Sequence, residues 1–229
     1  MVAVIGDIHG CLNTLKDLVY RIRQKYPAIN IFSVGDLVDR GNFSYEVIEF
    51  IIEEKINFTA GNHDLMFYYF IKDSSSELGR IWMYNGSDKT IDSYSGRFDD
   101  ISRHLDRIIQ APLFFYLKDC FISHAGISKQ YKSKIGKNLF DKIDSLDPFL
   151  RSELMSEHGI LWTRDELLNI DKLQIVGHTR QQEVNYQKSS NVVYIDTSVY
   201  TGNKLSAVIV EKDKVIDTIS VATYPEDIQ

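Results

Sequence analysis

Cysteine is scarce in this chain: Cys11 and Cys120 are the only two among 229 residues. Two lone thiols make neither a disulfide framework nor a zinc-type pair, so a reducing compartment is the default. Cys11 reads as a small buried hydrophobe rather than a redox switch. No basic-then-apolar leader precedes the first apolar run, and no run reaches transmembrane length, so we expect a cytoplasmic protein without membrane attachment. Positive charge is not in excess either. A net charge of −6 argues against a general nucleic-acid or anionic-membrane surface, while leaving room for a local basic pocket. Repeats, low-complexity tracts and linkers are absent too. The chain, 1–229, is therefore expected to fold as one domain with a substantial core, and to be a monomer.

What the chain does have is five apolar, strand-like runs that stop at residues able to bind metal. Val2-Ala3-Val4-Ile5 leads into Gly6-Asp7-Ile8-His9-Gly10, and Ile31-Phe32-Ser33-Val34 into Gly35-Asp36-Leu37-Val38-Asp39-Arg40-Gly41. Asn57-Phe58-Thr59-Ala60 opens into Gly61-Asn62-His63-Asp64, Cys120-Phe121-Ile122-Ser123 into His124-Ala125-Gly126, and Leu173-Gln174-Ile175-Val176 into Gly177-His178-Thr179. Four of the six histidines fall in these motifs; His104 and His158 do not. In open α/β sheets ligands bind beyond the carboxyl ends of the strands, so five separated exits can serve one crevice. Adjacent glycines let the backbone turn sharply and approach a bound ion. Asp, His and Asn without cysteine point to a two-metal hydrolytic centre.

The surrounding pattern is α/β. Leu12, Leu15, Leu18, Val19 and Ile22 recur at helical spacing before Pro27. A second helix is expected from Ser44, its plausible N-cap, with Val47, Ile48, Phe50 and Ile51 as its buried face. A third is expected over Asp64 to Ile71. This β-α-β-α-β-α order implies a partly parallel sheet with right-handed crossovers. Asp73 to Gln110 is polar, expected to be largely helical and suited to shaping a substrate site. The later half is richer in strands: a hairpin across Lys118-Asp119, then strands near Leu173–Val176, Val192–Ile195, Leu205–Val210 and Val215–Val221.

The order GDIHG, GDLVDRG, GNHD, HAG, GHT resembles the phosphoprotein phosphatase family of metallophosphoesterases, above all its bacterial and phage serine/threonine phosphatases. The likeness spans nearly the whole chain, including Tyr194-Ile195-Asp196-Thr197 through Gly202-Asn203. It implies a calcineurin-like α+β fold: a central β-sandwich of mixed sheets flanked by helices, with a mainly helical insertion. Two divalent ions, commonly manganese with iron or zinc as alternatives, are expected at its mouth.

Carried onto this chain, the resemblance implies that Asp7 and His9 hold the first ion, Asp36 bridges both, and Asn62, His124 and His178 complete the second. A shared carboxylate can hold two ions about 3.5–4 Å apart, and such a pair yields hydroxide at neutral pH. His63 is expected to protonate the leaving alkoxide, with Asp39 holding it as imidazolium. Arg40 should grip the phosphate, with Asn62 beside it and Arg164 as a second phosphate-binding arginine whose blander alternative is a surface pair with Asp165 or Glu166. Trp82-Met83-Tyr84-Asn85-Gly86 is read equally as cleft lining or as core. Tyr200 is a weaker candidate.

The resulting expectation is a phosphomonoesterase acting on phosphoserine or phosphothreonine, and on phosphotyrosine as a further option, in proteins, or on small phosphoesters. Asp39 favours this over a symmetrical diadenosine tetraphosphate hydrolase, which typically carries alanine there. Arg180, where nucleases of the wider class usually have a histidine, argues against nucleic acid as substrate. A non-catalytic metal-binding scaffold is the remaining alternative; it would be expected to have lost a ligand or the proton donor, and none is missing.

Overall fold

Val2-Ala3-Val4-Ile5 forms strand β1 (Val2–Ile5), buried at every position. A strand covered on both faces needs no polar alternation, which is why its sequence is unbroken apolar. In the computed structural model, which describes residues 1–135 and 143–229, β1 is the centre of a five-stranded sheet. Strand β2 (Asn30–Ser33) lies parallel to β1, and β3 (Asn57–Phe58) parallel to β2. On the other side β9 (Lys204–Glu211) and then β10 (Lys214–Ala222) pair antiparallel.

The second sheet also has five strands. Its order is β4 (Phe114–Tyr116), β5 (Phe121–Ser123), β6 (Gln174–Val176), β8 (Val192–Tyr194) and β7 (Asn185–Gln187). β5, β6 and β8 run parallel, with β4 and β7 antiparallel at the edges. The two sheets face each other across Val2, Val4, Phe32, Val34, Ile122, Ile175, Val193, Val208 and Val210, a core that also takes in Cys120. Alternate residues point the other way: Ala3, Ile5, Ile31, Ala207 and Ile209 join the core beneath the helices. The fold is thus α+β, two mixed sheets flanked by helices.

Helix α1 (Leu12–Lys25) buries Leu12, Leu15, Leu18, Val19 and Ile22, the stripe its spacing foretells. It has no side-chain cap of its own. Asp227 supplies one from the far end of the chain, accepting from the backbone N–H groups of Asn13 and Thr14 at 2.9 Å each. Helix α2 (Ser44–Glu53) buries Val47, Ile48 and Ile51, with Phe50 only partly covered. Ser44 is not its N-cap but its first helical residue, and the serine hydroxyl instead accepts from Asp39 N–H at 3.1 Å.

Helix α3 (Asn62–Lys72) starts two residues before the expected Asp64, so Asn62 and His63 sit in its first turn. The segment after it is helical as expected: α4 (Glu77–Trp82), α5 (Ser87–Ser93) and α6 (Ile101–Gln110). Two further helices, α7 (Lys132–Ile135) and α8 (Ile143–Ser152), precede β6. The edge strand β7 has no forerunner in the sequence reading. All three of its residues are exposed, so it carries no apolar signal.

Candidate dinuclear metal centre

The five strand exits converge. Asp7 and His9 leave β1, Asp36 to Arg40 leave β2, Asn62 and His63 follow β3, His124 follows β5 and His178 follows β6. Two loops are zipped together by backbone bonds: Ile8 and His9 N–H donate to Asp36 C=O at 3.1 and 2.8 Å, and Gly41 N–H to His9 C=O at 3.0 Å. Asp64 ties in the third motif, accepting from Leu37 N–H at 2.9 Å and Gly61 N–H at 3.0 Å. The turns are strained. His9, Asp36, Asp39, Arg40 and His178 all have left-handed backbone, with φ of 46°, 50°, 73°, 75° and 61°. Such conformations cost free energy in non-glycine residues and persist where the surroundings impose them.

At the centre, the Oδ2 atom of Asp36 lies 3.5 Å from His9 Nε2 and 3.5 Å from His124 Nε2. Backbone carbonyls set both tautomers. His9 Nδ1–H donates to Val38 C=O and His124 Nδ1–H to Val34 C=O, each at 2.9 Å, leaving the Nε2 lone pairs pointing inward. His178 is turned round: Nε2–H donates to Trp162 C=O at 3.1 Å, so Nδ1 faces Asn62 Oδ1 at 3.0 Å. His124 Nε2 approaches the same amide oxygen at 2.9 Å. Atoms that can only accept thus crowd one small space, as ligands do around a cation.

Two groups, His9–Asp36–His63 and Asp7–Asp36–His124, bring their donor atoms within 4.8 Å of one another and share Asp36. Asp7 and Asp196 crowd two more carboxyl groups against it. Burial, then Asp196 and Asp36, push the Asp7 carboxyl well above its usual range. Burial and Asp36 push Asp196 up to about 6. Asp36 goes the other way: burial opposes its charge, but the imidazoles of His124, His63, His9 and His178 outweigh it and hold the carboxyl low. Burial lowers His9, His124 and His178, the last to about 3, keeping them neutral as ligands must be. This donor set of oxygen and imidazole nitrogen fits manganese, iron or zinc.

Beside the centre, His63 Nδ1–H donates to Asp39 Oδ2 at 2.6 Å, and both side chains are buried. Arg40 reaches across, Nη1 donating to His9 Nε2 and Nη2 to His63 Nε2, each at 2.9 Å. Its guanidinium stacks 4.3 Å from the centre of the Tyr200 ring, which in turn packs edge-on against His9. These residues open into a cleft of about 240 Å³ lined also by Arg164, Arg180, Trp162 and Asn85.

Of the site residues singled out in the sequence, Asp7, Asp36, Arg40, Asn62, His63, Arg164 and His178 line this cleft, with His9 and His124 against Asp36 and Asp39 against His63. Arg164 is exposed at its edge, while its alternative partners are engaged elsewhere: Asp165 with Ser128 and His158, Glu166 with Lys129. The Trp82–Gly86 segment divides: Trp82 is core, Asn85 lines the cleft, and Tyr84 is 87% exposed. Sequence reasoning gave no role to Asp196, Thr90 or the cationic side of Arg180. Asp196 and Thr90 lie outside the five glycine-flanked strand exits, and Arg180, just past Gly177-His178-Thr179, is not a metal-ligand type, so none carried a local signal.

The sequence of residues 1–213 matches the family model described as calcineurin-like phosphoesterase. The chain belongs to this family. As a calcineurin-like phosphoesterase it is a metallophosphoesterase, a hydrolase class built on a dinuclear divalent-metal centre. An asymmetrical bis(5'-nucleosyl)-tetraphosphatase, PrpE of Oceanobacillus iheyensis, is 26% identical over 233 residues, covering 89% of this chain and 86% of that protein. A symmetrical bis(5'-nucleosyl)-tetraphosphatase of Marinomonas sp. is 30% identical over 183 residues, covering 76% of this chain and 62% of the relative. Among solved structures, the cold-active protein-tyrosine phosphatase of a psychrophilic Shewanella superposes with a TM-score of 0.65 at 18% identity, over 97% of this chain and 80% of that one. The likeness to that structure is one of fold.

Proposed function

We propose that this metallophosphoesterase hydrolyses phosphate monoesters, on phosphoproteins or small phosphoesters, by direct attack of water on phosphorus with His63 as general acid. The observation that carries this is the 2.6 Å bond from His63 Nδ1–H to Asp39, with the opposite ring nitrogen facing the cleft beside the metal-type donors.

Asp7, His9, Asp36, Asn62, His124 and His178 would hold two divalent ions. Bound ions supply a water acidic enough to ionise at neutral pH and positive charge for the phosphoryl oxygens. The protein groups do the rest. Arg40 Nη1 and Nη2, which rest on His9 and His63, present a planar fork to two phosphate oxygens. Asn62 and Arg164 reach the same space from other sides. The attacking oxygen forms a bond to phosphorus as the bond to the alkoxide oxygen breaks. Arg40 Nη2 donates to His63 Nε2 when no phosphate is bound; once the phosphate takes up the guanidinium, that nitrogen is free to carry a proton and passes it to the alkoxide oxygen, giving an alcohol and orthophosphate.

By distance alone His63 could also be a ligand, since it belongs to one of the two donor groups. Its backing favours the acid role: His9 and His124 are backed by carbonyls, whereas His63 donates its Nδ1–H to a buried carboxylate that fixes the ring's tautomer and direction, the arrangement of a proton-transferring histidine.

A second reading is dinucleoside tetraphosphate hydrolysis. Arg180 favours it. It lines the cleft, donates to Tyr200 OH at 3.1 Å and borders an adjoining polar hollow with Gln181, Gln182, Ser198 and Thr201. The names of the two sequence relatives agree with it. Comparing kcat/KM for phosphopeptides, p-nitrophenyl phosphate and diadenosine tetraphosphate in manganese tests the choice. A preference for phosphomonoesters is expected; preference for the dinucleotide by orders of magnitude would establish the second reading instead.

A further inference from the structure

Asp39 is fully buried, so no water shares the load of its charge, and an unsatisfied carboxylate there would be costly. Two residues of the helical insertion supply what water does not. Trp82 Nε1–H donates to both carboxylate oxygens, at 3.0 Å to Oδ1 and 2.9 Å to Oδ2. Thr90 Oγ1–H donates to Oδ1 at 2.7 Å. The Thr90 hydroxyl oxygen also accepts from Asp39 N–H at 2.9 Å, and Ser44 Oγ lies 3.0 Å from it. Asp39 is thus gripped at its carboxylate and its backbone by the same side chain.

The grip is rigid because its parts are packed. Trp82 is fully buried, its ring centre 5.2 Å from that of Phe67 and 4.7 Å from that of Phe70. Phe67 and Phe70 lie on α3, the helix whose first turn carries His63. The donor to Asp39 and the partner of Asp39 are therefore mounted on one frame. Arg40 is tied to the insertion as well, through its N–H to Gly86 C=O at 3.1 Å.

We propose that Trp82 and Thr90 are positioning residues for proton transfer: they fix the plane of the Asp39 carboxylate, and through it the tautomer and direction of the His63 ring. The inference rests on His63 being the general acid. On this account the insertion of α4 and α5 does more than shape the substrate's path. Only interactions that act in the transition state raise kcat, and a proton donor out of line loses its effect where the leaving group is poor.

The test uses leaving groups of different basicity with Trp82→Phe, Thr90→Val and Thr90→Ser in the manganese-loaded enzyme. Phenyl phosphate needs a proton on its departing oxygen and dinitrophenyl phosphate does not. The ratio of their kcat values should fall about tenfold in Trp82→Phe and in Thr90→Val, and return in Thr90→Ser, a part of the roughly 10²–10⁴-fold that a positioned acid contributes. Thr90→Val is near-isosteric and covers the case in which Trp82→Phe fails to fold. In the metal-free protein, where no paramagnetic ion broadens the signal, the proton in the His63–Asp39 bond should also give a downfield NMR resonance in the wild type and in Thr90→Ser, and lose it in Thr90→Val. An equal loss on both substrates, or an unchanged ratio with the resonance intact, would overturn the proposal. His63→Asn is the control. If that variant leaves the ratio unchanged, the general-acid reading fails, and the NMR resonance alone then decides whether Trp82 and Thr90 hold the pair.

Discussion

Gly177 and Asp7 occupy adjoining space: a Cβ on Gly177 would lie 1.9 Å from Asp7 Oδ1. The next residue, His178, donates its N–H to the same carboxylate, at 3.3 Å to Oδ1 and 3.1 Å to Oδ2. The glycine thus brings β6 close enough for the first and last motifs to touch. Gly177→Ala should push the Asp7 carboxylate aside and weaken metal binding by about 10–100-fold, the scale seen when groups that orient ligands are disturbed. Titration of the metal-free protein with Mn²⁺, followed calorimetrically, measures this. Unchanged affinity would show that Asp7 does not hold metal.

Asp64 acts on stability. Its carboxylate accepts from Leu37 and Gly61 N–H groups, and burial followed by the charge of Asp36 raises its pKa to about 7. Asp64→Ala strands two buried donors, each worth about 1–3 kcal/mol when left unpaired. The urea midpoint should drop by the equivalent of roughly 2–5 kcal/mol with little change in slope. A loss within about 0.5 kcal/mol would mean that the loops hold together without it.

Asp196 gives the pH dependence. Burial raises its pKa to about 6, against roughly 4 for an unfolded aspartate. The native state then binds the proton more tightly, so this group's contribution is present below about pH 4, is lost as pH rises to about 6, and stays lost above. Asn cannot ionise and keeps an oxygen for the Ser198 N–H bond. Stripped of metal, Asp196→Asn should therefore be more stable than wild type above pH 6, by about 1–3 kcal/mol, and equal to it near pH 4. Saturating divalent ion should reverse the sign, because cations favour the carboxylate. A pH-independent difference would contradict the assignment.

The parts of the fold and site legible in sequence were those with a local signature. β1 and β2 are short apolar runs ended by Gly6 and by Gly35, whose φ of 96° favours glycine. The stripe of α1 announces itself at helical spacing. Other features depend on partners remote in the chain. Asp227 caps α1 from more than 200 residues away, and Ser44 lies inside α2 with its hydroxyl shared between Asp39 N–H and Thr90 instead of capping the helix. Trp82 reads as one more core aromatic until its indole N–H is seen on Asp39. Arg180 entered the sequence argument only as a missing histidine, whereas in the fold it is a cation at the edge of the cleft.

His63→Asn tests the central claim most directly. The variant should still bind two divalent ions per chain, by metal analysis after dialysis, while kcat on phenyl phosphate falls about 10²–10⁴-fold and kcat on dinitrophenyl phosphate falls far less. Loss of an ion would make His63 a ligand. Normal turnover of phenyl phosphate with both ions bound would contradict the account outright.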